Sequence, residues 1–421
     1  MALGSTLALL GLSCSLPSAS SSRAIPAPAP PEGRLTPLAG DIELVESAPV
    51  GTSLDAPDLR NAGEVWVEMI DAARSTLDLA FFYVSDNEPS RLTAVIEAIE
   101  RATSRGVRVR LLLSAGFRAN VPETVERLST HAGIELRWLD LKPLGLGVLH
   151  AKYFIVDGAS VFVGSQNFDW RSLEHIQELG LRVRDPDLGA AFEQVFEFDW
   201  TLAASGTLPS PAASQADGSA PVGGPRHSVN LRGSLVEPVF SPLELLPEGL
   251  QWDLPRLIEL IDGATATVRV QLLSYRLVGY DGEYFDDLDR ALRRAAARGV
   301  DVRLIVADWE KRPGAIEDLK SLQPVRNVEV RMLTIPPAEQ GHIPYARVVH
   351  AKYLVVDGQR AWVGTSNWSR DYFHSSRNAG LVLSGGDLPP RLDQFHAEAW
   401  NSEYAFAIDP CEDYEPARIG D

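Results

Sequence analysis

Apolar positions along this chain switch repeatedly between a helical and a strand period, and the switches lay out its elements. Glu64 to Leu77 and Ser90 to Arg105 carry apolar residues three and four apart, as amphipathic helices do. Between them, Leu77-Asp-Leu-Ala-Phe-Phe-Tyr-Val84 is dense enough for a buried strand. Gly106 stops the second helix, and Val107 to Leu113 alternates as a strand. A further helix and a strand from Ile134 to Leu139 lead to a strand pair, Lys152 to Val156 and Ser160 to Val163, turned at Asp157-Gly158. Glu178 to Val183 is a strand and Leu188 to Trp200 a closing helix. The same order then returns: a helix at Leu254 to Ile261, a strand at Thr267 to Leu273, a helix at Tyr284 to Arg298 and a strand running to Val306. A strand at Gly380 to Leu383 and a helix through Trp400 complete it.

Two stretches lack either period. Ser20 to Gly40 is rich in Pro, Ala and Ser, and Ala203 to Val229 in Ser, Pro, Ala and Gly, the composition of spacers. The chain therefore divides into a leader and spacer (1–41), an N-terminal lobe (42–202), a flexible linker (203–229), a C-terminal lobe (230–408) and a tail (409–421). Strands alternating with helices imply an α/β protein of two homologous lobes, each a mixed sheet flanked by helices. Related lobes of one chain are expected to pack about a pseudo-two-fold axis, as homodimers do.

The duplication is sharpest where the chemistry is. His150-Ala-Lys152-Tyr-Phe-Ile-Val-Asp157-Gly, followed by Gly164-Ser165-Gln-Asn167, is matched by His350-Ala-Lys352-Tyr-Leu-Val-Val-Asp357-Gly and Gly364-Thr365-Ser366-Asn367. Every matched residue keeps an offset of 200 positions. Strand alternation puts each His and its Lys on one face, with Tyr153 and Ile155 turned into the core. Asp157 and Asp357 end their strands before Gly, which reads as a turn role, although both belong to the repeated set. Two His, two Lys and two Asn converging on one place suit a phosphate. The cations and amides hold its nonbridging oxygens, one imidazole attacks phosphorus, and the other protonates the leaving oxygen. At the same offset Glu178 faces Asn378, so only one copy carries a carboxylate to orient an imidazole. The expectation is that Glu178 supports His150 as nucleophile, with His350 as acid and then base. No Cys/His or carboxylate cluster has metal-ligand spacing, so no cofactor and no metal are expected.

Composition changes the picture little. A formal charge of −18 argues against a nonspecific basic surface but leaves room for a local cationic groove. The two cysteines, Cys14 and Cys411, give no disulfide framework. Leu7 to Leu12 and the small residues after it resemble an export signal, cut after Ser20 or lipidated at Cys14, so an exported location (periplasmic, secreted or lipoprotein) is expected over a cytoplasmic one. The run is too short for a transmembrane segment. Nothing in the sequence sets an oligomeric state.

The repeated H-x-K-x4-D resembles the phospholipase D superfamily, from Ile42 to Tyr404. Segments outside that motif are similar to the animal lysosomal members, phospholipases D three and four: Leu44 to Pro49, Gly147 to His150, Asn167 to Ser172, Glu178 to Gly180, Ile343 to Val348, Gly364 to Ser369 and Asp371 to Phe373. The resemblance implies a phosphodiesterase working through a phosphohistidine, and a 5′-exonuclease on single-stranded DNA or RNA. A phospholipase D or transphosphatidylase acting on phospholipid is the alternative, and a noncatalytic nucleic-acid-binding protein a third. Asp357 stands where those relatives tend to have Glu. The candidate catalytic set is His150, Lys152, Asp157, Asn167, Glu178, His350, Lys352, Asp357 and Asn367. Ser165, Ser366, Trp170, Arg171, Trp368 and Tyr372, near the two asparagines, are the candidates for substrate binding, and Arg171, Arg370 and Arg377 for neighbouring phosphates.

Overall fold

The computed structural model describes residues 42–119, 122–208, 227–279 and 282–420. The leader, including Cys14 and the expected export signal, lies outside them, as does the expected linker from 209 to 226. Each lobe is built on one mixed sheet. In the N-terminal lobe the order is Arg60–Asn61, Ile42–Ser47, Glu178–Arg184, Ser160–Gly164, Tyr153–Val156, Thr76–Phe81, Arg108–Ser114, Ile134–Leu139. The C-terminal lobe repeats this from Ser234–Ser241 through Asn378–Ser384, Arg360–Gly364, Tyr353–Val356, Thr267–Leu272, Asp301–Ala307 and Val328–Leu333. Val229–Leu231 and Ala405–Ala407 extend its two edges. The register is duplicated too: Gly164 pairs with Gly180, and Gly364 with Gly380.

Both faces of these sheets are buried, which is why the motif strands read as continuous apolar runs. Tyr153, Ile155 and Val163 meet Tyr353, Val355 and Val363 in one core shared by the two lobes. On the opposite face Phe154 and Phe162 pack with Trp66 of the helix Ala62–Asp71, and Leu354 and Trp362 occupy the corresponding core of the second lobe. The shared core joins the lobes sheet to sheet and brings the two motifs together.

Two element boundaries differ from the sequence reading for identifiable reasons. The first helix ends at Asp71 instead of reaching Leu77, because the Asp157 carboxylate captures the N–H groups of Arg74, Ser75 and Thr76 (2.7–3.2 Å) and turns the chain into a strand. The helix expected to close at Trp200 runs from Pro186 to Ser205, so Ala203 to Ser205 are helical and not linker. Leu202 is still buried there, and Gly206 at φ 66° supplies the left-handed cap. No helix among the described residues is long and apolar enough to cross a membrane.

Candidate active site

His150 and His350 meet because the segments in front of them exchange partners between lobes. The His150 N–H donates to the Arg377 carbonyl (2.9 Å), and the His350 N–H to the Gln177 carbonyl (2.8 Å). Gln177 and Arg377 are duplicated positions, each directly ahead of a strand in its own lobe. The side chains that follow cross with them. Glu178 Oε2 accepts from His350 Nδ1 at 2.8 Å, and Asn378 Oδ1 from His150 Nδ1 at 3.0 Å. Committing Nδ1 leaves Nε2 as the reactive nitrogen of each ring. This corrects the expected pairing: Glu178 supports His350, not His150, since it follows the residue whose carbonyl holds His350.

Each supporting side chain is itself held. Glu178 Oε1 accepts from Ser172 Oγ (2.8 Å), which also accepts from the Asn167 N–H (3.2 Å). Asn378 Oδ1 accepts from Thr365 Oγ1 (2.9 Å), and its amide donates to the Tyr372 carbonyl (2.8 Å). Lys152 and Lys352 are completely buried, and each donates to the carbonyl of its own histidine. Asn367 donates to the Tyr372 hydroxyl (3.0 Å), and Asn167 Oδ1 is buried without a partner.

Burial drives the charged groups toward their neutral forms. It holds both histidines well below their ordinary range, and the ammonium groups of Lys152 and Lys352 add to the depression. Lys152 is held far down by burial and then by Lys352, and burial brings Lys352 to about 7. Burial also raises Glu178 to about 7, against the pull of Lys352. A phosphodiester anion entering this cluster restores the charge balance that burial removes, favouring the protonated lysines and an imidazolium.

A cavity of about 620 Å³ is lined by both histidines and both asparagines. Its walls come largely from the carboxyl ends of the parallel strands. Phe82 follows Thr76–Phe81, Phe117 follows Arg108–Ser114, and Trp309 follows Asp301–Ala307. Ligands of open α/β sheets collect at such ends. The His150 ring lies between Phe82 (5.1 Å) and Tyr372 (4.8 Å), and the Lys152 ammonium sits over Phe82 at 5.1 Å. Phe82 belongs to neither motif; its place just after a strand end is the signal that could have found it.

Other candidates lie elsewhere or are spoken for. Asp157 and Asp357 sit at left-handed turns (φ 50° and 55°), a strand's length from their histidines, and their carboxylates anchor backbone N–H groups of Arg74 to Thr76 and Thr265 to Thr267. They are structural and do not reach the reacting centre. Ser165 closes the sheet against Leu179, and Ser366 donates to Asp253 (3.1 Å), so neither faces substrate. Trp368 is core, and Trp170 packs against His175 outside the cavity lining. Arg171 and Tyr372 do line the cavity, but the Arg171 guanidinium is forked onto Asp169. Arg377 is fully buried and forks onto Asp199, far from the role of a phosphate ligand. Among the described residues, no group of three His, Cys, Asp or Glu side chains could hold a metal ion.

Two lobes of one ancestry, each giving a buried imidazole clamped at Nδ1 beside a buried lysine, define a duplicated two-histidine phosphodiesterase. The profile of the family described as "Cardiolipin synthase, PLD-like domain" matches residues 66–200 and 257–400, once in each lobe. The chain belongs to this family, within the phospholipase D superfamily, and is a phosphodiesterase of the hydrolase class. It is 30% identical to Phospholipase D Z of Dictyostelium discoideum, over 88% of this chain and 92% of that one. It is 30% identical to the 5′-3′ exonuclease PLD4 of Mus musculus, over 87% and 79% of the two chains. The Virion nicking-joining enzyme of Vaccinia virus is 31% identical over 87% of this chain and 89% of its own. In fold, the chain resembles the phosphatidylserine synthase of Haemophilus influenzae, with a TM-score of 0.61, 13% identity and 90% of each chain covered.

Proposed function

We propose that this phosphodiesterase shortens single-stranded DNA or RNA from the 5′ end, through a phosphohistidine on His350. The observation that carries the substrate is the aromatic cavity wall beside the histidines, where Phe82, Phe117, Trp309 and Tyr372 offer ring faces and edges to unpaired bases. The similarity to a mouse 5′-3′ exonuclease and a viral nicking-joining enzyme agrees with it.

The chemistry follows from the crossed support. His350, with its Nδ1–H on the Glu178 carboxylate, attacks phosphorus through Nε2, and the P–O5′ bond to the rest of the strand breaks opposite it, leaving the terminal nucleotide on the histidine through its 3′-phosphate. Glu178 stabilises the positive charge left on the ring. His150, protonated at Nε2, gives its proton to the leaving oxygen. Lys152, Lys352 and the amides of Asn167 and Asn367 hold the nonbridging oxygens as charge builds on them. His150, now neutral, takes a proton from water; the hydroxide oxygen attacks phosphorus, the P–N bond breaks, and His350 is regenerated.

Phospholipid is the second reading. Leu113, Val125, Ile176 and Val348 give the same cavity an apolar side suited to an acyl chain, and one relative is named a phospholipase D. A turnover assay in EDTA separates the two, with a 5′-hydroxyl oligonucleotide in one arm and mixed phospholipid vesicles in the other. Stepwise shortening from the 5′ end, lost in His350→Ala, supports the exonuclease. Headgroup release with an intact oligonucleotide replaces it with the phospholipase.

A further inference from the structure

Among the described residues, Tyr345 is placed unlike any other aromatic side chain. Among the described residues it is one of six large apolar or aromatic side chains left exposed, at 56%, and the only one of the six that lines the cavity holding the histidines. Its φ is +59°, a left-handed conformation that bulky residues rarely adopt, and Arg347 follows at +56°. Such backbone persists where its surroundings over-determine it, and it gathers at ligand clamps.

The surroundings do so here. The Pro344 carbonyl accepts from Arg171 Nη1 of the other lobe at 3.2 Å. The Tyr345 N–H donates to the Ile419 carbonyl (2.7 Å), and His342 Nε2 lies 2.9 Å from the Gly420 carbonyl. The Arg347 guanidinium donates to the carbonyls of Pro336 (2.7 Å) and Val50 (2.8 Å), and its N–H to the His175 carbonyl (2.9 Å). Three residues on, the same segment becomes His350. The loop thus fixes one exposed ring relative to the reacting centre, using contacts from both lobes and from residues 419–420.

We infer that Tyr345 is a substrate-positioning residue whose ring stacks on an unpaired base at the cavity, and that the carbonyls of Ile419 and Gly420 hold it in place. This inference rests on the nucleic-acid reading above. A ring kept for packing is buried, whereas this one is held open to solvent at a backbone angle that glycine adopts more readily. Stacking on a ring face also tolerates any base, as an exonuclease requires.

The test uses the full chain, a 5′-hydroxyl single-stranded hexanucleotide and the small diester methyl p-nitrophenyl phosphate. Tyr345→Gly removes the ring and suits the left-handed backbone, so Tm holds or rises. KM for the hexanucleotide rises about tenfold, with kcat changed by less than about twofold and the small diester unaffected. Tyr345→Phe keeps the wild-type KM, and a chain shortened after Arg418 reproduces the rise seen with glycine. An unchanged hexanucleotide KM in Tyr345→Gly overturns the inference and leaves the nucleic-acid reading standing. Equal losses on both substrates overturn it in favour of a structural role. A wild-type enzyme that leaves the hexanucleotide intact removes the parent reading and the inference with it.

Discussion

Glu178 Oε2 lies 2.8 Å from His350 Nδ1, across the boundary between the lobes, whereas position 378 offers His150 only an amide oxygen. The two imidazoles therefore differ in the one property that separates a nucleophile from an acid. The ring beside a carboxylate is stabilised once it carries a phosphoryl group and a positive charge. The ring beside an amide gives up its proton more readily.

Turnover quenched with denaturant at alkaline pH, where the P–N bond survives, should accordingly leave the phosphoryl group on the peptide carrying His350. With a substrate whose leaving group needs no proton, His150→Ala should accumulate that species, because it lacks the base that activates water. Glu178→Gln should lower kcat by about 10³–10⁴-fold, the cost of losing a carboxylate that fixes and charges an imidazole. A phosphoryl group found on the His150 peptide would reverse the assignment.

The pH profile follows from the same groups. Lys352, held down to about 7 by burial, loses its ammonium as pH rises through that value, and the depressed His150 loses its imidazolium earlier. Glu178, raised by burial to about 7, loses its carboxylate as pH falls. The kcat/KM profile, which reports the free enzyme, should decline on both sides of a maximum at or below pH 7. Glu178→Gln should flatten the acid limb and leave the alkaline one. An acid limb that survives this change would assign it to another group.

Asp357 should matter for stability far more than for rate. Its carboxylate accepts from the N–H groups of Thr265, Ala266 and Thr267 and from the Thr265 hydroxyl (2.8–2.9 Å). Asp357→Asn should cost about 1–3 kcal/mol in urea unfolding at pH 7 while kcat stays within a few fold. Those hydrogen bonds hold the folded pKa below 3.8 despite partial burial. The contribution is therefore present above the unfolded pKa and lost as pH falls through the folded one, so mutant and wild type should converge in acid.

Glu46 works in the opposite direction. Buried in its strand, with Oε1 accepting from the Ala56 N–H (2.8 Å) and Oε2 without a partner, it is pushed up to about 9 by burial. A raised carboxylate favours folding at low pH and loses that advantage as pH climbs from its unfolded value toward 9. Glu46→Gln keeps the shape and removes the titration. Its unfolding free energy in urea should exceed the wild type's by more at pH 8 than at pH 5, the change between them being at most about 4 kcal/mol. A difference that stays constant with pH would show that Glu46 does not titrate there.

The sequence displayed the duplicated lobes and the His, Lys and Asn pairs because these depend on period and spacing along the chain. It did not display who supports whom. Glu178 and His350 are 172 positions apart, and their contact is set by two carbonyls that cross between lobes. The strand Ser234–Ser241 is equally hard to read, since Pro238 in its middle argues against a strand. The aromatic residues were only half legible. Trp368 and Trp170 stand next to motif residues yet point away from the cavity, while Phe82 and Trp309 reach it from strand ends that no motif marks.

Duplicated parts commonly provide a spare, so that one copy can decay while the other carries on. The reciprocal grip of Arg377 on His150 and of Gln177 on His350 removes that insurance. A lesion in either lobe disturbs the imidazole of its twin, so both copies must be preserved together for either to be of use.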